Sequence, residues 1–300
     1  MGQLTSGALR GFAFRGAGLL SCLGLTLVSG ACICQDRIVY HPTRTIARTP
    51  ADAGMPYEEV AFAAADGVRL SGWFVPAAGP RRGTLLFCHG NTGNISDPVE
   101  SLAMYRSLGL DVLAFDYRGY GRSEGRPSEG GTYLDAEAAW RHLVEDRGVP
   151  SGSIVVLGRS LGGAIAAHLA AAHRPRALVV ESAFCSAPDL CAQKVPWLPV
   201  RRLVRFDYAT ERYVGSVSCP VLVIHSPDDR LIPYGNGLRI FYAAPGPKQF
   251  LAIRGGHARG WFQSGERYVR GLARFLDACP DARPGAPPVA TGRTGPAAHS

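Results

Sequence analysis

The stretch Gly158-Arg159-Ser160-Leu161-Gly162 sets a serine midway between two glycines, the G-x-S-x-G spacing of a nucleophile elbow. A serine hydroxyl in such a turn can attack an acyl carbonyl, provided a histidine takes its proton and a carboxylate holds that histidine. The same spacing recurs at Gly121-Arg122-Ser123-Glu124-Gly125, so the pattern alone does not choose between the two serines. Context does. Ser160 follows the apolar strand expected over Ile154–Leu157 and precedes a helix of small residues, Gly162–Ala172. That strand–turn–helix order lifts a serine to the top of a sheet, beside helix N-terminal amides that favour developing negative charge. Ser123 lies in DYRGYGRSEGRPSEGG, whose five glycines and one proline predict a loop.

In a chain with an elbow of this kind the order is Ser, then acid, then His. The helix after Ser160 carries His168 and His173, and beyond it stand His225, His257 and His299. His299 falls in the C-terminal tail. His225 closes a strand ahead of the candidate acids and reads as structural. His257, in AIRGGHARGWF, follows a strand, and its two preceding glycines let the loop come close; it is the expected base. The turn HSPDDRLIP offers both Asp228 and Asp229, and the residues alone leave the choice open, since one can face the histidine while the other caps or meets water. The oxyanion of the tetrahedral intermediate needs two backbone donors. Leu161, after the serine, supplies one, and Asn91 in FCHGNTGN is the candidate for the other, with His89 organising the loop.

These groups need a scaffold. Apolar strands are expected at Glu59–Phe62, Arg69–Val75, Thr84–Cys88, Val112–Phe115, Ser153–Leu157, Ala177–Val180, Val221–His225 and Gln249–Ile253. Runs such as TLLFC and VLVIH are apolar throughout, as strands covered on both faces are. Helices are expected over Tyr133–Glu145, from Leu161, and over Ser264–Leu276. Alternation of this kind predicts an α/β fold, a mostly parallel eight-stranded sheet with helices on both faces. Its functional crevice lies beyond the carboxyl ends of the strands, where every motif above falls.

The 300 residues, 46% of them hydrophobic, suit one sizeable core. The net charge of +8 comes almost wholly from scattered arginines, Lys194 and Lys248 being the only lysines, which argues against a nucleic-acid surface. Eight cysteines form no C-x-x-C pair, so neither metal nor cofactor is implied. Cys185 and Cys191 stand near enough to bridge in an oxidising compartment, two free buried thiols being the simpler reading. Arg10 and Arg15 precede an uncharged apolar stretch, Ala17–Cys34, the order of a secretory signal or membrane anchor. Residues 1–34 are therefore expected to lead the chain out of the cytoplasm and hold it at the membrane. Cleavage after Ala31, or lipid attachment at Cys32, are the alternatives. Residues 35–278 form the catalytic domain, with the lid at about 184–215, and 279–300, rich in Pro, Ala and Gly, form a disordered tail.

Taken together, QDRIVYHP (Gln35–Pro42), HGNTGN, FDYRGYGRSEG, GRSLGG, ESAF, HSPDDRLIP and GGH span residues 35 to about 276. In their order and spacing the chain resembles the α/β-hydrolase superfamily, most closely the small membrane-anchored hydrolases related to the bud-emergence protein of fission yeast and the ABHD proteins. The resemblance implies a Ser-Asp-His triad and an N-terminal anchor. It also places the acid at Asp229, by aligning His225 and Pro233 on the family's H-G-x-x-D-x-x-I-P. Ser226 and Pro227 depart from that pattern, where Gly-Thr is usual, and an exported domain departs from the cytoplasm-facing depalmitoylases of the group.

The reading is thus an acyl hydrolase: nucleophile Ser160, base His257, acid Asp229, oxyanion donors Asn91 and Leu161. Its substrate would be a small-molecule or lipid acyl ester or thioester, and no obligate protein partner is expected. Pro196–Val200 in the lid could line an acyl pocket and Arg201, Arg202 and Arg205 could meet head groups, or the segment could be a packed excursion with a solvated basic face. The alternatives are a serine peptidase of the prolyl-oligopeptidase type and a catalytically silent envelope protein that binds lipid or a partner.

Overall fold

A computed structural model describes residues 35–279. Eight strands build the central sheet: β1 (Glu58–Ala63), β2 (Arg69–Val75), β3 (Gly83–Cys88), β4 (Leu110–Phe115), β5 (Ile154–Arg159), β6 (Ala177–Glu181), β7 (Val221–His225) and β8 (Lys248–Ala252). Their spatial order is β8-β7-β6-β5-β3-β4-β2-β1. The pairs β1–β2 and β2–β4 are antiparallel, and every other pair is parallel.

The apolar runs are continuous because each of these strands feeds two cores. Leu86, Cys88, Leu113, Phe115, Val156 and Val180 face one side; Leu85, Phe87, Val112, Ala114, Val155 and Val179 face the other. The first side is covered by α3 (Glu129–Arg141) and α4 (Leu161–Ala172), the second by α2 (Val99–Ser107) and α9 (Glu266–Ala278). α7 (Tyr234–Ala243) packs on β7, α6 (Thr210–Val214) lies between α4 and α7, α5 (Ala187–Lys194) packs on the turn Val200–Arg202, and α1 (Gln35–Val39) opens the described chain.

All eight expected strands form. The helices differ more. α3 begins four residues ahead of the expected Tyr133, because the Ser128 hydroxyl accepts the Gly131 N–H at 3.1 Å and starts the first turn there. The helix expected from Ser264 to Leu276 is two, α8 (Gly260–Ser264) and α9, broken at Gly265 with φ of +48°. Cys185 and Cys191 are both free thiols. Among the described residues no helix is long and apolar enough to cross a membrane. The anchor expected over 17–34 and the tail from 280 onward lie outside the described residues.

Candidate active site

The elbow turns the chain from β5 into α4 at Ser160. Ser160 has φ 56° and ψ −120°, a left-handed backbone that a non-glycine residue adopts only when its surroundings impose it. Those surroundings are small residues in close contact. A Cβ on Gly158 would stand 2.0 Å from the Gly162 carbonyl oxygen, and one on Gly162 would stand 2.1 Å from that of Cys88. On the other flank, the Ser160 N–H donates to the Glu181 carbonyl at 2.8 Å, so β6 holds the turn.

His257 and Asp229 converge on this serine. His257 Nε2 lies 2.9 Å from Ser160 Oγ, and Nδ1 lies 2.7 Å from Asp229 Oδ2. Burial pushes the Asp229 carboxyl upward, yet the hydrogen bond from His257 and the backbone amide of Ile232 outweigh it, and the group is held below the usual carboxylate range. An ionised carboxylate only accepts, so His257 Nδ1 carries the proton and Nε2 is left to accept from the serine hydroxyl. Asp229 Oδ1 is itself held by the amides of Leu231 and Ile232, both at 2.9 Å.

The turn's other aspartate has a separate task. Asp228 Oδ2 accepts the Gly255 N–H at 3.0 Å and so anchors the glycine loop that carries His257. His225 is fully buried and donates from Nε2 to the Ile232 carbonyl at 3.0 Å, so the strand-end histidine is structural. His299 lies outside the described residues.

Asn91 and Leu161 flank the serine from two sides. Leu161 is the first residue of α4, where an N–H has no acceptor within the helix. The loop of Gly90 and Asn91 passes so close that a Cβ on Gly90 would be 3.7 Å from Ser160 Cβ. Asn91 is clamped at both other polar groups. Its carbonyl accepts from His41 N–H (2.9 Å) and Tyr120 OH (2.7 Å), while its side-chain Nδ2 donates to the Val39 carbonyl at 2.8 Å. His89 Nδ1 donates to the Gly90 carbonyl at 2.7 Å, and burial lowers the ring's pKa to about 4, which keeps it neutral.

A cavity of about 630 Å³ opens beside Ser160 and His257. Its apolar wall is Phe87, Leu231, Trp261 and Phe262. None of Pro196–Val200 lines it, and Trp197 is turned to solvent, so of the two readings of that segment the pocket-lining one is not met. Arg159 lines the cavity from below, and sequence reasoning gave it no role. Its guanidinium is buried against Glu181 (2.8 Å), Ser101 (3.2 Å) and Tyr105 (3.2 Å), and Tyr268 OH donates to the same Glu181 at 2.6 Å. This network braces the residues on both sides of the elbow. The only sequence signal for it was Glu181 in ESAF.

Ser123, in contrast, is fully buried in its loop and hydrogen-bonded at both ends of its hydroxyl. Its Oγ donates to the Asp116 carbonyl at 2.7 Å and accepts the Ser71 N–H at 2.9 Å. Among the described residues no cluster of three or more His, Cys, Asp or Glu gathers as metal ligands would.

Residues 83–218 match the family description of the alpha/beta hydrolase fold. An uncharacterized protein of Mycobacterium tuberculosis is 37% identical over 244 residues, covering 81% of this chain and 87% of that protein. The alpha/beta hydrolase domain-containing protein WAV2 of Arabidopsis thaliana is 32% identical, with coverage of 81% and 87%. Among solved structures, an esterase of Pyrococcus furiosus superposes with a TM-score of 0.66 at 22% identity, covering 80% of this chain and 99% of that one. With this sheet order, this elbow and these relatives, the chain belongs to the α/β-hydrolase superfamily.

Proposed function

We propose that the protein is a serine hydrolase that cleaves a carboxylic ester or thioester through an acyl-enzyme. Ser160 Oγ attacks the acyl carbonyl as its proton passes to His257 Nε2, and Asp229 holds and stabilises the resulting imidazolium. The N–H groups of Asn91 and Leu161 receive the oxyanion; losing one such donor typically costs about 3–4 kcal/mol of transition-state stabilisation. His257 then returns the proton to the departing alkoxide or thiolate. A water molecule, deprotonated by the same nitrogen, releases the acid and restores Ser160.

The observation that carries this reading is the unbroken relay Asp229–His257–Ser160, with links of 2.7 and 2.9 Å. The cavity volume of about 630 Å³ falls within the ~300–1,000 Å³ usual for small-molecule sites. Its aromatic wall suits an acyl chain.

The same proposal puts the domain on the extracytoplasmic side of the cell membrane, held by residues 1–34, and supported by the order of Arg10, Arg15 and the apolar stretch after them. The test is a fluorophosphonate probe applied to membrane and soluble fractions, followed by mass spectrometry of the labelled peptide. Label at Ser160 supports the reading, and the fraction that carries it separates an anchored from a released protein. Folded protein without label at Ser160 would favour the silent binding role instead. A peptidase reading is tested by dipeptide substrates beside acyl esters. The acylaminoacyl peptidase of Pyrococcus horikoshii, at a TM-score of 0.59 and 16% identity, matches this chain over only 43% of its length.

A further inference from the structure

The large apolar side chains that the described residues leave in solvent are unevenly distributed. Six are exposed: Ile38, Trp197, Leu231 and Phe262, at 61%, 80%, 53% and 63%, stand on segments tied to the loops near the site, and Leu134 on α3 and Tyr242 are the other two. Leu231 and Phe262 form the cavity wall beside His257. Trp197 follows α5, whose last residue, Lys194, donates to the Arg230 carbonyl at 3.1 Å and so ties its segment to the Leu231 turn. Ile38 lies on α1, one residue before the Val39 carbonyl that accepts from Asn91. Tyr242, also exposed, lies at the opposite pole, its carbonyl accepting from Lys248 at the start of β8. Single exposed apolar residues are ordinary on a protein surface; Leu231 and Phe262 together at the cavity, with Trp197 and Ile38 on segments bonded to the neighbouring turns, make a broader apolar face.

Arg48, Arg259, Asp97 and Glu100 line the cavity itself, Arg48 pairing with Glu100, and further basic side chains lie on the segments carrying Trp197 and Leu231. Residues 194–205 hold Lys194, Arg201, Arg202 and Arg205 and no acid. Asp189 pairs with Arg201 and Asp36 with Arg205. Arg202 and Arg230 are exposed and form no ion pair among the described residues. Arg259 stands beside Phe262 on the far side of the mouth, and Asp228, in the turn beside it, is occupied with the Gly255 amide.

The chain also enters the fold here. Gln35 donates to the Leu203 carbonyl and accepts the Arg205 N–H, both at 2.8 Å. Gln35, the residue that follows the eighteen uncharged residues Ala17–Cys34 in the sequence, is therefore fixed at this pole.

We infer that this pole is a docking surface for an anionic lipid bilayer, with Ile38, Trp197, Leu231 and Phe262 entering the interfacial layer and the arginines meeting lipid phosphates. Charge complementarity and the entry point of the apolar segment select this occupant. The active-site mouth then opens onto the bilayer. The inference does not rest on ester chemistry, since the surface is there whatever Ser160 does.

The full-length protein, reconstituted into vesicles containing brominated phosphatidylcholine, tests it by quenching of tryptophan emission. Trp73 and Trp140 are buried and Trp261 is half-buried, so Trp197 is the side chain that docking would expose to bromine. Strong quenching is expected when phosphatidylglycerol is present, with most of it lost in Trp197→Phe. The double variant Arg202→Glu/Arg230→Glu, checked for folding by circular dichroism, should lower the quenching about threefold or more. Unquenched wild type, or Trp197→Phe quenched as fully as wild type, would overturn docking through this pole. Equal quenching in pure phosphatidylcholine would overturn the anionic surface as partner. Label at Ser160 by fluorophosphonate is scored separately, so failed docking and failed hydrolase chemistry give different results.

Discussion

Ser160 and Ser123 each stand two positions from a glycine on either side, and both follow a strand of the same sheet, yet the fold uses them in opposite ways. Around Ser123 the hydroxyl is spent: it bridges Asp116 to Ser71, and the loop closes over it. Around Ser160 the backbone is forced to positive φ so that the hydroxyl faces only His257. What differs is what comes next. A helix of small residues beginning at Leu161 presses against the β3–loop backbone and leaves the serine no way to fold back, whereas the glycine-rich run after Ser123 lets the chain bury its own hydroxyl. One spacing thus yields a hydroxyl held against an imidazole in one place and a structural staple in the other, and the neighbouring elements decide which.

The contrast is broken most directly at the serines. Ser160→Ala should lower kcat on a short-chain ester by about 10⁴-fold or more while leaving the melting temperature nearly unchanged, as the loss of a nucleophile does. If Ser160→Ala retains wild-type turnover, the assignment of the two sites fails. Next in size is Gly162→Ala. The added methyl meets the Cys88 carbonyl oxygen at 2.1 Å with only backbone around it, so urea unfolding should show a loss of about 3 kcal/mol or more.

Asp116, beneath the Ser123 loop, sharpens the comparison through pH. Burial raises its carboxyl to about 7, against an ordinary 3.8. The unfolded chain therefore releases this proton at about pH 4 and the folded chain only at about pH 7. The stability it contributes is full below about pH 4 and is lost as pH rises through about 7, amounting to at most about 4 kcal/mol. Asp116→Asn keeps an acceptor for the Ile95 amide and cannot titrate. Its melting temperature should consequently fall less than that of wild type between pH 5 and pH 8. Smallest is Ser123→Ala, expected to unfold about 1–3 kcal/mol more easily because the Ser71 amide and Asp116 carbonyl lose their partner. Its kcat should stay within about threefold of wild type; a large fall in kcat would mean the loop takes part in the chemistry.

The sheet was legible because its strands announce themselves locally: an apolar run such as Val221–His225 needs no knowledge of its partners, and its bounds agree with the expectation at both ends. α2 and α7 had no named expectation, since α2 is short and α7 begins YGNG, a stretch that reads as turn. The order Ser, Asp, His was equally readable, and the geometry brings Ser160, His257 and Asp229 together. The turn's own residues left Asp228 and Asp229 open, and it was the resemblance that placed the acid at Asp229; in the fold that one faces the imidazole and the other the Gly255 amide. The brace beneath the elbow stayed hidden. Arg159, Glu181 and Tyr268 are 22 and 87 positions apart in their contacts, and nothing local to any one of them shows that they meet. One reading placed the acyl pocket in the excursion after β6, whereas its apolar wall comes from Phe87 at the end of β3, Leu231 in the turn after β7, and Trp261 and Phe262 in α8.

The clamp between α1 and the Asn91 loop bears on where this protein can be shortened. A chain trimmed to begin at Tyr40 would keep the whole sheet and every residue of the relay. It would nonetheless lose the Val39 carbonyl that fixes the Asn91 side chain, and with it the Gln35 bonds that tie down residues 203–205. Such a truncation is expected to turn over an ester more slowly than a chain beginning at Gln35, measured on the two side by side, the defect arising from the loss of a five-residue helix remote from the relay in sequence.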